Sequence, residues 1–236
     1  MDLKSKIILI SGPTASGKSK LALKIAKKIN GEIINADSMQ VYKELKILTA
    51  RPSEIDLKKI EHHLYGFRTV KKDFSSGEWL KLAKKNIKKI RDKNKIPVLV
   101  GGTGLYFKAL TDGLVKIPNI PISFRNKIRR MQNSLGQKKF YSKLLKNDSS
   151  VKNRIDPTDV QRSIRAYEVI SFTKKSIFEW YKKTKPSFRK EQFIKIYIDY
   201  PRDELISKIS KRVDQMIKNG AIQEVKDFLK LNLKSD

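Results

Sequence analysis

Short apolar runs alternate with amphipathic stretches along the first half of the chain. Residues 7–10 are an apolar run typical of a strand, and residues 20–29 place Leu21, Ile25 and Ile29 four apart, which predicts a helix. By the same criteria we predict a strand at 31–37, a helix at 75–93 and a strand at 96–100. Strands that alternate with helices in this way favour a mostly parallel sheet.

The pattern changes near residue 117, where Pro118, Asn119 and Pro121 interrupt it. Helical stretches then follow one another at 123–131, 138–145, 157–171 and 177–182. Alternation at 193–198 predicts a return to the sheet, followed by helices at 205–218 and 221–231. We predict an α/β fold: a parallel sheet flanked by helices, with an inserted basic α-helical domain. The predicted domains are the first part of the core at 1–119, a helical insertion at 120–190 and a return to the core at 191–236.

Composition narrows the function classes. The 236 residues are 39% hydrophobic, enough for a packed core, and the absence of cysteine excludes disulfides and thiolate metal sites. No apolar run approaches the roughly 20 residues of a membrane span, and the N-terminal apolar run is too short for a signal peptide. We therefore expect a soluble, cytoplasmic protein with no membrane partner.

Charge points to a polyanionic partner. The net charge is +29, from 53 basic and 24 acidic residues. Residues 120–190 hold 19 basic and 5 acidic residues, about twice the charge density of the remaining chain. A lysine-rich composition also arises from AT-biased coding, but this uneven distribution favours binding of nucleic acid by the middle segment.

The strongest single motif is Gly-Pro-Thr-Ala-Ser-Gly-Lys-Ser at residues 12–19, which fits the phosphate-binding loop. It stands between a predicted strand and a predicted helix, the context that this loop requires, so we predict that the parallel sheet is P-loop NTPase-like. Its backbone N–H groups and the helix N-terminus attract an anion, Lys18 adds a full charge, and the Ser19 hydroxyl can hold Mg²⁺. The strand at 96–100 ends in Gly101 without the acidic residue usual in P-loop NTPases, so a polyphosphate is predicted but an ATPase is not favoured.

Several further segments, taken with the loop, resemble the tRNA dimethylallyltransferase family, also called the IPP transferase family. The matching segments are residues 12–19, 35–42, 49–52, 62–64, 98–106 and 156–168, which follow one another in family order through nearly the whole chain. The resemblance implies transfer of a dimethylallyl group from dimethylallyl diphosphate to N6 of adenosine 37, next to the anticodon of tRNA. Family members continue beyond the position of Asp236 with further basic segments, so we expect weaker tRNA binding and slower transfer than in a longer relative.

The resemblance also assigns roles to individual residues. Asp37 would be the general base or orienting group for the adenine amine, and Thr103 would hydrogen-bond the oxygen that bridges the prenyl carbon and the diphosphate. The residues implied in diphosphate binding are Gly12, Pro13, Thr14, Ala15, Ser16, Gly17, Lys18, Ser19 and Arg212, with Ser19 also holding Mg²⁺. The residues implied in tRNA binding are Asp37, Ser38, Met39, Gln40, Thr103, Arg125, Gln161, Arg162, Ser163, Ile164 and Arg165.

Three alternatives stay open at this stage: a P-loop kinase acting on a small metabolite, an isopentenyltransferase acting on free adenine nucleotides, and a non-catalytic RNA-binding protein. His62 and His63 form a poor metal site by sequence, because no cysteine or carboxylate stands at ligand spacing, and a structural or substrate-adjacent role is favoured. Trp79 and Trp180 are expected in core or interface packing. We expect a monomer.

Overall fold

The structure is a computed structural model that describes residues 3–231, and the chain packs as two units. One unit combines Met1–Thr111 with Pro186–Asp236, and the other is Asp112–Lys185. The functional division at 119/120 and 190/191, with RNA binding assigned to the middle segment, stays a prediction.

The first unit holds a five-stranded parallel sheet, which confirms the predicted α/β class. Its strands are β1 (Ile7–Ser11), β2 (Gly31–Asn35), β3 (His62–His63), β4 (Ile96–Gly101) and β5 (Phe193–Tyr197). The strand order is β3-β2-β4-β1-β5, so β1 lies between two strands that follow it much later in the chain.

Helices cover both faces of this sheet. α1 (Lys18–Lys28) lies on one face, and α3 (Ser76–Asp92) and α4 (Gly104–Thr111) lie on the other, whereas the short α2 (Glu54–Lys59) has no buried residue. Successive strand residues enter opposite clusters: Ile7 and Leu9 pack with α3 and α4, whereas Ile8 and Ile10 pack with α1. Burial on both faces explains why β1 and β4 are continuous apolar runs rather than alternating ones.

The second unit is a small helical body. It contains α5 (Ile122–Asn147), α6 (Val160–Thr173) and α7 (Ile177–Tyr181) around a core that includes Phe140, Leu144 and Val169. The two stretches predicted at 123–131 and 138–145 lie in α5, which is broken at Gly136 (φ 70°).

The first unit is completed by α8 (Arg202–Lys218) and α9 (Ala221–Leu229), close to the predicted bounds. The short elements α2, β3 and α4 were not predicted. None of the helices in residues 3–231 is long and apolar enough to cross a lipid bilayer.

Candidate active site at the carboxyl edge of the sheet

The predicted phosphate-binding loop joins the end of β1 to the start of α1. Gly17 is the N-cap of α1 with φ 86°, a conformation that favours glycine, and it offers no side-chain cap to the first turn. The N–H groups of that turn are therefore free to face an anion. The Ser16 hydroxyl is buried without a hydrogen-bond partner among residues 3–231, as expected of a donor that awaits a ligand.

A cleft of about 720 Å³ collects most of the predicted catalytic and diphosphate-binding residues. It is lined by the loop, by Gly101 at the end of β4, and by Lys208 and Arg212 of α8. The predicted site residues that line it are Thr14, Ala15, Gly17, Lys18, Ser19, Asp37, Met39, Gln40 and Arg212. Arg212, which sequence alone could not distinguish from an ordinary exposed helix charge, thus lies at the same cleft as Lys18.

Lys18, Arg212 and Asp37 influence one another electrostatically in this cleft. Burial lowers the pKa of the Lys18 ammonium, Asp37 partly opposes that shift, and Arg212 adds to it. Burial likewise lowers the pKa of Arg212, against the opposing effect of Asp37. A bound polyanion would stabilise the charged forms of Lys18 and Arg212, because it would place negative charge next to both side chains.

Asp37 is fixed by its neighbours at the end of β2. The Asn35 amide oxygen accepts from the Asp37 backbone N–H (2.9 Å), and the Asn35 amide nitrogen donates to the carbonyls of Asp37 (2.9 Å) and Leu64 (3.0 Å). The Asp37 carboxylate accepts from the Met39 N–H at 2.9 Å. Trp79 stacks in the core as predicted, and its indole N–H also donates to the Asn35 carbonyl (2.9 Å).

The sequence patterns assigned no role to Asn35. Its side chain holds the backbone of Asp37 in place, although Asn35 is not one of the groups predicted to react. Its role follows from the burial that the structure shows, since a fully buried amide at a strand end must satisfy its hydrogen bonds locally. Trp180, the other tryptophan, packs against the core of the second unit, as predicted.

Thr103 joins the ends of β2 and β4. Its backbone N–H donates to the Ala36 carbonyl (3.2 Å), and its hydroxyl accepts from the Ser38 N–H at 2.9 Å. The same hydroxyl makes only a long contact of 3.3 Å as donor to the Ser38 hydroxyl. Its proton can therefore be redirected to a substrate oxygen at small cost.

The donor set of the cleft fits a hard cation bound together with a polyphosphate. Ser19 is exposed at the cleft, and Asp37 also lines it, so the available protein ligands are oxygen atoms, as Mg²⁺ prefers.

A separate cluster contradicts one detail of the sequence interpretation. Carboxylates do lie near His63: its Nε2 is 2.7 Å from Glu32 and 3.8 Å from Glu61. Lys93 and Lys95 donate to the same carboxylates at 2.8–3.0 Å, so the cluster is already compensated by protein cations. This arrangement gives His63 a structural role, whereas the structural or substrate-adjacent role of His62 stays a prediction.

The predicted RNA-contacting residues of the middle segment differ in their exposure. Arg162 is three-quarters exposed, and Gln161 is exposed beside it, whereas Ser163 and Ile164 are buried. Burial removes the Ser163 and Ile164 side chains from the set that can touch RNA in this structure, since one face of α6 points inward. Sequence spacing did not separate the two faces.

Two arginines of this set are bound to one buried carboxylate. Arg125 of α5 and Arg165 of α6 contact Glu168 at 3.5 and 3.0 Å, and the Glu168 side chain is 2% exposed. The pairing fixes both guanidinium groups at the surface of the second unit while leaving them partly exposed.

Comparison with known proteins gives a consistent family. The sequence model of the IPP transferase family matches residues 40–236. The chain is 61% identical to a tRNA dimethylallyltransferase of Pelagibacter ubique and 42% identical to one of Agrobacterium fabrum, in both cases over its whole length. It spans 75% and 80% of those relatives.

Solved structures agree with the sequence relatives. A eukaryotic dimethylallyltransferase described as acting on tRNA superposes with a TM-score of 0.82 at 29% identity over 96% of this chain. The chain spans 56% of that enzyme, little more than half. A tRNA isopentenylpyrophosphate transferase from Bacillus halodurans gives a TM-score of 0.63 at 32% identity, with 98% of this chain and 72% of that one covered.

Proposed function

This chain belongs to the IPP transferase family, a class of prenyltransferases, and on that premise we propose that it transfers a dimethylallyl group to tRNA. The donor would be dimethylallyl diphosphate and the acceptor N6 of the adenosine next to the anticodon. The observation that carries the proposal is the convergence of Lys18, Arg212 and Asp37 on one cleft beside a phosphate-binding loop.

The chemistry follows from those positions. The adenine N6 attacks C1 of the prenyl group, the C1–O bond breaks, and diphosphate leaves with the bonding electrons. Asp37 would orient the amine and accept the proton that N6 loses. Thr103 would donate to the bridging oxygen as negative charge develops there.

Lys18, Arg212 and the loop N–H groups would hold the leaving diphosphate. Ser19 would hold Mg²⁺, which when bound neutralises part of the diphosphate charge. The absence of an acid after Val100 argues against a site organised for hydrolysis of a nucleoside triphosphate. We also propose that the metal ion is Mg²⁺, that the protein is a monomer and that it is located in the cytoplasm.

Arg125, Gln161, Arg162 and Arg165 would contact the anticodon stem-loop. Guanidinium groups suit this role because they stack on unpaired bases and pair with phosphates. The high charge of residues 120–190 favours tRNA over a free nucleotide as the acceptor.

One assay tests the proposal against its rivals. The protein is incubated with labelled dimethylallyl diphosphate, Mg²⁺ and one acceptor: unmodified tRNA, AMP or ATP. We expect label in tRNA only, and none in a tRNA whose target adenosine is replaced by guanosine. Label in AMP or ATP would favour the free-nucleotide isopentenyltransferase. Consumption of ATP with a small-molecule acceptor, without prenyl transfer, would favour the kinase.

A further inference from the structure

A glutamate of the C-terminal helix α9 binds three consecutive backbone N–H groups of a distant loop. Glu224 Oε1 accepts from the N–H of Lys46 (2.7 Å) and of Ile47 (2.8 Å), and Oε2 accepts from the N–H of Leu48 (2.8 Å). Successive N–H groups that point at one centre form a concave anion site, and a carboxylate in such a site makes strong, charge-assisted bonds.

The loop that Glu224 binds is a wall of the cleft. Leu45, Leu48, Thr49 and Ala50 all line it. The carbonyls of Thr49 and Ala50 also accept from the Gln40 side chain, at 2.9 and 3.2 Å. The position of this loop therefore affects both the cleft and a residue close to Asp37 in the chain.

Glu224 belongs to the helix pair α8–α9, and α8 of this pair carries Arg212. Arg212 and Lys208 reach the cleft from α8, and α8 turns into α9 at Gly220. Both helices lie wholly within the described residues. No residue of α8 is buried, and in α9 only Ala221 is buried. Apolar packing therefore does little to fix these helices, and a polar anchor has a correspondingly large effect on where Arg212 lies.

We propose that Glu224 is a positioning residue that fastens α9, and through it Arg212, to the cleft wall at residues 45–50. The carboxylate suits this task because both of its oxygens accept. An amide at the same place would turn an NH₂ group toward the N–H groups of the loop. This inference rests on the proposed function only in that the cleft is taken to hold a diphosphate.

The chain offers a matched control on the same helix. Glu224→Gln and Asp227→Asn each remove one negative charge from α9, but Asp227 is exposed and bonds only Gln223 of the same helix and Lys230 directly after it in the hydrogen bonds described. The two variants are compared with the unaltered chain by hydrogen exchange of the amides of residues 46–48. Binding of inorganic pyrophosphate with Mg²⁺ is measured in parallel.

In Glu224→Gln we expect the amides of residues 46–48 to lose most of their protection and pyrophosphate affinity to fall about tenfold. Amides of β1 and β4 should keep their protection, and Asp227→Asn should change neither quantity. The prenyl acceptor does not enter these measurements, so a failure of tRNA prenylation would leave the result standing.

Three results would overturn the inference. Unchanged protection at residues 46–48 in Glu224→Gln would show that the contact does not hold the loop. Equal losses in both variants would assign the effect to helix charge. Loss of protection in β1 and β4 would make Glu224 a residue of general stability.

Discussion

Asp37 owes its position to hydrogen bonds from its chain neighbours, since Asn35 holds its backbone and the Met39 N–H holds its carboxylate. Both restraints would survive an isosteric change of the carboxylate to an amide. The position of the group and its capacity to accept a proton can therefore be separated by experiment.

Asp37→Asn should slow prenyl transfer by roughly 10²- to 10⁴-fold while leaving tRNA and diphosphate affinities nearly unchanged, because the amide cannot accept the N6 proton. Single-turnover rates at saturating substrates measure the effect. Asp73→Asn makes the same chemical change at an exposed aspartate that does not line the cleft, and it serves as the control. A rate in Asp37→Asn close to that of the unaltered chain would rule out Asp37 as the base.

Lys18→Met should raise the thermal midpoint of the ligand-free protein slightly, because burial lowers the pKa of Lys18 and its charge is poorly solvated. The same change should abolish the stabilisation given by added pyrophosphate, since the ammonium faces the anion. Thermal melts with and without pyrophosphate show both effects. An unchanged pyrophosphate response would place the anion elsewhere.

At the scale of elements, Glu32 joins β2 to β3 and to the segment after α3. Burial by itself would raise its pKa, but hydrogen bonds from Lys95, His63 and Lys93 outweigh that effect and lower the pKa to about 2. A depressed carboxylate pKa stabilises the fold fully above its ordinary value near 4.5, and the contribution is lost as the pH falls toward 2.

Glu32→Gln should therefore flatten the pH dependence of stability between pH 6 and pH 3. In the unaltered chain the Glu32 contribution to the free energy of unfolding should fall by about 2 kcal/mol over that interval. Denaturant titrations at the two pH values measure it. Glu61→Gln, at an exposed carboxylate of the same cluster, should keep the steeper dependence, and a parallel slope in both variants would contradict the assignment.

Sequence patterns predicted the long elements because each has a strong period, with Ser75 capping α3 as expected. The two-residue strand β3 and the six-residue helix α2 lack enough positions to show a period. The strand order could not be predicted from these patterns either, because the pairing of β1 with β5 joins segments that lie far apart in the sequence. The cleft was predictable where a motif marked it, whereas the Asn35 and Glu224 contacts depend on geometry alone.

At the scale of the whole molecule, the charge of +29 predicts tRNA binding that weakens steeply with salt. Arg162→Gln should reduce the slope of log K against log salt by about one if Arg162 contacts a phosphate. Arg162→Lys keeps the charge and should keep the slope, with weaker binding where stacking is lost. Filter binding at several salt concentrations decides between a phosphate contact and no contact, because an unchanged slope in Arg162→Gln excludes the former.

The strand order also has a consequence for biosynthesis. β1, which leads into the phosphate-binding loop, is made well before both of its neighbours in the sheet, Ile96–Gly101 and Phe193–Tyr197. At about 5–20 residues per second, the second neighbour follows roughly 10–40 s later. Residues 112–185 form a unit that is continuous in sequence, so this unit can fold during that interval. Until β5 is synthesised, the nascent chain exposes the apolar edge of β1 that later pairs with β5. The yield of folded protein therefore depends on what covers that edge in the meantime.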